Sequence, residues 1–295
     1  MAETINFLQF IYSQERIEQV IALTQDAPVF LSTDHVRQRV LPELCLGTVG
    51  MFLLFAFFLQ VLGNVKDRQQ RHKLAYRFTN IVVTAVLGVI GIYGELYVLP
   101  NLPPDNVTTY IQGLEDHILI VNLMFSFQTW AMVTGSLFVQ EDLLMMGHHL
   151  AVFLVCIMYS SFTNGFRYHM YYFAGIWEIS SIPLALMNIL RDHPKWKDRF
   201  PGLFFAIKTS FAFSFLILRI WIGTWRAVRY VTDLFVVFTT TLDKPILYQA
   251  FMFLMFAMSF FLFVLQFYWA WLIIVMIVRN ARVILKQLFK KLKVT

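Results

Sequence analysis

Along the chain, long apolar runs alternate with short polar stretches. The runs lie at about 44–62, 75–98, 118–139, 143–163, 170–190, 203–225 and 246–278. Most approach or exceed the roughly 18–20 residues a helix needs to cross a bilayer core. They are continuous rather than alternating, which predicts helices and not a barrel. The expected fold is an all-α polytopic membrane protein with seven transmembrane helices. The last run is long enough to span with tilt and continue along the surface. Ahead of the first run, residues 5–23 carry Ile17, Val20 and Ile21 at helical spacing, which predicts a short amphipathic helix.

Composition strengthens this picture. The 295 residues are 58% hydrophobic and 14% charged, with 31 Phe, and the mean hydropathy is +0.63. A soluble domain could not bury that much apolar surface. The net charge of +6 does not point to nucleic acid, because the basic residues gather in short loops and in the tail, as orientation signals do. Lys and Arg number fourteen after the first, fifth and seventh runs against seven on the other side. This predicts a lumenal N-terminus and a cytosolic C-terminus. The loop Pro100 to His117 has neither Lys nor Arg and carries the sequon Asn106-Val107-Thr108, in line with a lumenal face. The ending KKLKVT is similar to the Lys-x-Lys-x-x retrieval signal of endoplasmic reticulum membrane proteins, and also suits a basic tail lying on anionic headgroups. Residues 1–43 show no early apolar stretch, so no signal peptide is expected. Cys45 and Cys156 sit in or at the edge of apolar runs and suggest no disulfide framework.

Polar residues inside the runs carry the chemistry. A charge at the bilayer centre costs ~2.5–3.5 kcal/mol on insertion scales, so such groups normally face a bundle interior. The fourth run opens on His148 and His149. At 100° per residue, His149, Cys156, Ser160 and Thr163 share one direction, which predicts that His149 looks inward and that His148 shares the cavity edge. Two interfacial histidines at headgroup level are the plain alternative. On the fifth run Glu178 lies about 18 Å from the cytosolic end, deep enough to demand a partner or a proton. Gly175 and Ser181 share its face, and Pro183 frees the carbonyl of Ile179, a kink beside the acid. Arg219 on the sixth run is the expected partner, which would equally suit a purely structural buried pair. Asn122 and Gln128 are further intramembrane polar groups, and Lys208 is shallow enough to snorkel.

The order of these features resembles the TLC domain family, named for TRAM, Lag and CLN proteins. A His-His pair opens a span, a polar turn with Asn164 and Arg167 follows, then WEISSIP (Trp177 to Pro183) and an Arg in LILRIW (Leu216 to Trp221). The resemblance covers about residues 66–280. It implies six helices surrounding a central, lipid-accessible cavity, with one leading helix (44–65) outside, a lumenal segment at 1–43 and a basic cytosolic tail at 281–295. Ceramide synthases of this family carry a His-Asp-x-x-Asp pattern where this chain reads MYYFAGIWEISS, without Asp. The CLN-like branch, with Glu-x-Ser-Thr-Pro in that span, is closer, although one extra residue separates Glu178 from Pro183 here.

The resemblance implies a membrane protein of lipid metabolism in the endoplasmic reticulum, whose partners are membrane lipids. One reading is acyl transfer from an acyl-CoA or acyl-lipid donor, with acyl-CoA as substrate and no bound cofactor or metal. In it His149, or else the first histidine, is the nucleophile, the other is the general base, and Glu178 orients or stabilises charge. Arg219, Asn164, Ser160 and Ser181 would bind substrate. The other reading is a non-enzymatic lipid-binding, lipid-homeostasis or cargo factor using the same cavity. His149 lies only about 9 Å from the cytosolic end, so a kink or tilt must bring it level with Glu178. Fatty acid elongases need His-x-x-His-His, but Met145 stands at the leading position. Heptahelical receptors need Asp-Arg-Tyr and Asn-Pro-x-x-Tyr, and neither is present.

Overall fold

A backbone in hydrocarbon must satisfy its own hydrogen bonds, and the apolar runs do so as helices. A computed structural model describes residues 14–26, 31–102, 107–114, 117–162, 166–240 and 244–292. Among them there is no strand, and seven helices are long and apolar enough to cross a membrane. They are Thr33–Val61, Arg68–Asn101, Ile118–Val139, Leu143–Ser161, Arg167–Asp192, Pro201–Thr239 and Ile246–Arg279, here the first to seventh spans. The last helix continues to Leu292. A separate helix, Gln14–Asp26, buries Val20 and packs against the end of the sixth span.

Two expected limits move. The first span begins at Thr33, because Val36–Val40 forms a π segment that runs straight into it. The sixth does not end near 225. Arg226 and Arg229, expected in a loop, lie inside the helix, where Arg226 pairs with Glu95 of the second span and so tolerates the position. The tail residues 293–295, residues 103–106 and 115–116 of the sequon loop and residues 1–13 lie outside the described residues.

The second to seventh spans close a ring in the spatial order 2, 5, 6, 7, 4, 3. The first span stands outside, against the second and third. Between lipid-embedded helices there is no hydrophobic driving force, so close backbone approach and interhelical hydrogen bonds hold them. Gly91 of the second span meets Gly175 of the fifth so closely that a Cβ on Gly91 would stand 2.6 Å from the Gly175 Cα. The first span is tied in by polar groups. Asn122 Nδ2 donates to Glu43 Oε2 (2.9 Å), Ser126 Oγ donates to the Leu44 carbonyl (3.1 Å), and Ser160 Oγ donates to Asn122 Oδ1 (2.8 Å).

At the end of the ring holding the 102–117 and 162–166 connections, the Arg167 guanidinium donates to the carbonyls of Tyr159, Phe162 and Gln112. His169 and Asp233 pair there at 3.2 Å, both buried. Gly91→Val will force the second and fifth spans apart at a cost of about 1–3 kcal/mol. It should lower the melting midpoint of the purified protein, whereas Gly50→Ala, with open space around Gly50, should not.

Candidate functional site

The ring encloses a cavity of about 710 Å3 to which all six of its helices contribute. It reaches from Lys73, Asp142 and Asp192 near the 62–67, 140–142 and 193–200 connections down to Glu178 and Arg219. A second, smaller space of about 80 Å3 lies deeper, walled by Val152, Val155, Cys156, Phe173, Leu262 and Phe263 among others. The first has a mixed wall in which charged and polar side chains alternate with apolar ones, and the second is chiefly apolar. Three residues line both: His148, Glu178 and Arg219.

Irregular backbone places the acid. Within Arg167–Asp192 the helix passes through a π segment, Tyr171–Gly175, and a 3-10 segment, Ile176–Ser180, just before the stretch containing Pro183. In the 3-10 segment the Ser181 N–H donates to the Glu178 carbonyl, and the Trp177 carbonyl accepts from Ser180 Oγ (2.8 Å) as well as from Arg219. The Arg219 side chain projects from a π segment, Phe215–Ile222, and is 6% exposed. Its Nη2 donates to the Trp177 carbonyl (3.0 Å) and to Ser181 Oγ (2.9 Å), and its Nε to Ser180 Oγ (2.7 Å). Longer contacts of 3.5 Å reach Glu178 Oε1 and Gln266 Oε1. The expected Glu178–Arg219 pair is therefore present, as the outermost strand of a wider clamp.

The two histidines differ. His149 is held at both ring nitrogens, Nδ1 at 2.7 Å from Gln128 Oε1 and Nε2 at 3.3 Å from Glu141 Oε2. Glu141 is held in turn by Arg77 Nη1 at 3.0 Å. His148 lies between His149 and Trp269, its ring centroid 5.7 and 5.3 Å from theirs. Its Nδ1 is buried without a hydrogen-bond partner among the described residues. The offset in depth between imidazoles and acid is closed here, since His148 and Glu178 border the same junction.

Ser181 joins this group and Ser160 does not. Ser160 belongs to the polar line with Cys156 and His149, but its hydroxyl faces Asn122 of the third span and lines neither space. Asn164 and Thr163 lie outside the described residues. Sequence reasoning missed Glu141, which sits in a three-residue connection with Gln140 in the left-handed region at φ 59°. It also missed Tyr76, Arg77 and Asn80, which line the cavity from the second span. Their spacing of 76, 77 and 80, one turn of a helix opening on a basic loop, was the available signal. Among the described residues no three His, Cys, Asp or Glu gather in a metal-binding arrangement.

Residues 70–275 match the family model described as TLC domain, and the chain belongs to that family, which makes it a multi-pass membrane protein of a family tied to lipid metabolism. No curated protein and no solved structure matches it significantly.

Burial would raise the Glu141 carboxyl, but the hydrogen bond with His149 and the charge of Arg77 outweigh it and hold the group below its ordinary value of 4.5. A carboxyl lowered by folding adds stability that is fully present above that ordinary value and is lost as pH falls through the lower, folded one. Melting midpoints measured from neutral pH down through the carboxylate range should therefore fall less steeply for Glu141→Gln than for wild type. Arg219→Leu should cost about 3–5 kcal/mol, because it strands a buried acid. Arg219→Leu/Glu178→Leu should lose less than the sum of the two single changes in an unfolding cycle.

Proposed function

We propose that the chain is a lipid acyltransferase of the endoplasmic reticulum membrane, with its polar cavity open to the cytosol and its N-terminus lumenal. The observation that carries this is the placement of His148, Glu178 and Arg219 where a larger cavity bearing charged and polar side chains meets an apolar space. An acyl donor is itself such a junction: an apolar chain on one side, a polar headgroup or thiol carrier on the other, the carbonyl between. The donor's chain enters the apolar space, its polar part occupies the larger cavity, and its carbonyl comes to rest at the imidazole. The excess of Lys and Arg after the first, fifth and seventh spans supports the orientation.

His148 is the better nucleophile of the pair. His149 is engaged at both ring nitrogens, whereas His148 has an unpartnered one and reaches both spaces. A ring nitrogen of His148 attacks the carbonyl carbon of an acyl thioester. The C–N bond forms as the C–S bond breaks, and the thiol leaves with the ring's proton. The acceptor then attacks the acyl-imidazole, its new bond to the acyl carbon replacing the bond to the ring, and its proton returns to the ring. Arg219 stands beside the junction as a fixed positive charge for the developing oxyanion, and Glu178 orients it. His149, fixed by Glu141 and Gln128, walls the cavity next to His148 rather than attacking. The apolar walls keep water from the acyl-imidazole.

The second reading, lipid retention without turnover, draws on the fact that Glu178 and His149 are already committed to protein partners. Intact-mass measurement of the purified protein after exposure to an acyl-CoA separates the two. Wild type should gain one acyl mass that hydroxylamine removes, His148→Ala should gain none, and His149→Ala should keep a reduced fraction. An adduct that persists in the double histidine variant would end the catalytic reading, and co-purified lipid with no adduct in wild type would establish the second.

A further inference from the structure

The sixth and seventh spans meet unevenly. Their backbones approach closely from Phe215 onward, whereas along Pro201–Ser214 the sixth packs on the fifth and scarcely nears the seventh. Between lipid-embedded helices, close backbone approach is what holds a joint together. Over this stretch the joint is made by side chains alone: Phe211, Ala212 and Phe215 against Ala270 and Ile273, a cluster separate from the main core. All five are at least nine-tenths buried, so the seam is shut. On its flanks the same two helices turn Phe213, Ile217, Trp271 and Ile274 outward, where hydrocarbon lies.

Behind the seam is the larger cavity. Phe211 and Phe215 of the sixth span and Trp269, Leu272, Ile273 and Met276 of the seventh face it, the last four at the spacing of one helix face. None of the six is charged. The far side carries Lys73, Glu141, Asp142 and His149. A wall apolar on one side and charged on the other fits an amphiphile, its chain along the sixth and seventh spans and its head toward the charged side. Volume narrows the class. At roughly 30 Å3 for a group the size of a water or a methylene, 710 Å3 holds about two dozen non-hydrogen atoms. That suffices for one chain with a small head and falls far short of a two-chain phospholipid.

We infer that the acceptor is a single-chain lipid and that it enters sideways from the bilayer, through the seam that Phe211, Phe215 and Ile273 close. Calling the guest the acceptor rests on the acyl-transfer reading above. There the donor's thiol has left before the acceptor arrives, so the larger cavity is free to receive it. Side chains need only turn aside for a lipid chain to pass, because the backbones are already apart.

The protein is placed in phosphatidylcholine vesicles with monopalmitoylglycerol carrying a diazirine in its chain, irradiated, and the labelled residues are read by mass spectrometry. Leu184 and Asn188, which face the cavity from the fifth span, should be labelled. The same diazirine in a phosphatidylcholine chain should label the outward Phe213 and Trp271 but not these two. In a Cys45→Ser background, Ala212→Cys/Ala270→Cys joined by a reducible bis-methanethiosulfonate should carry about tenfold less cavity label, as a fixed gate would. Reduction should restore it. Neither alanine lines the cavity, and Cys156 is buried away from the reagent. Phe211→Ala, which widens the seam without a linker, should raise the label severalfold. A cavity label undiminished by the linker, unchanged in a folded Phe211→Ala protein, missing from wild type, or equal for the two-chain probe would overturn the inference. The acyl adduct is read separately, and the linked protein should gain it from acyl-CoA as wild type does. If wild type gains none, the acyl-transfer reading has failed, and the label alone decides whether the seam admits a single-chain lipid.

Discussion

A guanidinium buried in the middle of the bundle dictates the centre of this protein. Arg219 sits within the sixth span, where an unpaired charge is costly, and the surrounding helices are shaped to satisfy it. The 3-10 stretch at Ile176–Ser180 presents the Trp177 carbonyl and the Ser180 hydroxyl to it, Ser181 adds its own, and Gln266 approaches from the seventh span. Trp177 and Phe215 cover the guanidinium faces, each ring centroid 5.6 Å away. Two helices depart from regular α geometry at the same level, and one side chain binds the fifth-span stretch so formed. The fifth, sixth and seventh spans are thereby fixed in mutual rotation, and Glu178 is presented to the cavity from the same stretch.

Adjacency in sequence conceals a division between the two imidazoles. Successive residues on a helix point about 100° apart, so a His-His pair cannot present both rings to one partner. Here the second ring turns to the third span and its connection, where Gln128 and Glu141 immobilise it, and the first turns to the junction of the two spaces. The pair thus combines an anchored ring with one that borders both spaces.

The spans, and the link between Glu178 and Arg219, were legible because both follow from one rule. Apolar runs of sufficient length must cross the bilayer, and a deep charge must find its opposite. Helical periodicity places His149 inward as expected, but it cannot say whether an inward polar face meets a cavity or a neighbouring helix. Ser160 shows the difference: it lies on the inward line and spends its hydroxyl on Asn122. Glu141 was hidden for another reason. It belongs to a connection of three residues, and only the left-handed turn at Gln140 swings it back under the fourth span. Tyr76, Arg77 and Asn80 were read as the start of a span, since nothing in a local pattern tells that the far wall of a cavity lies opposite.

The first span falls outside the residues that match the family, yet Glu43 accepts a hydrogen bond from Asn122 in the third span. A boundary drawn by family likeness would cut that bond and strand an amide within hydrocarbon. The segment is also made before its partner: while the chain is being inserted, Glu43 must wait, neutralised or near the headgroups, until the third helix arrives to receive it. The outer helix is in that sense secured by a helix that comes later in the chain.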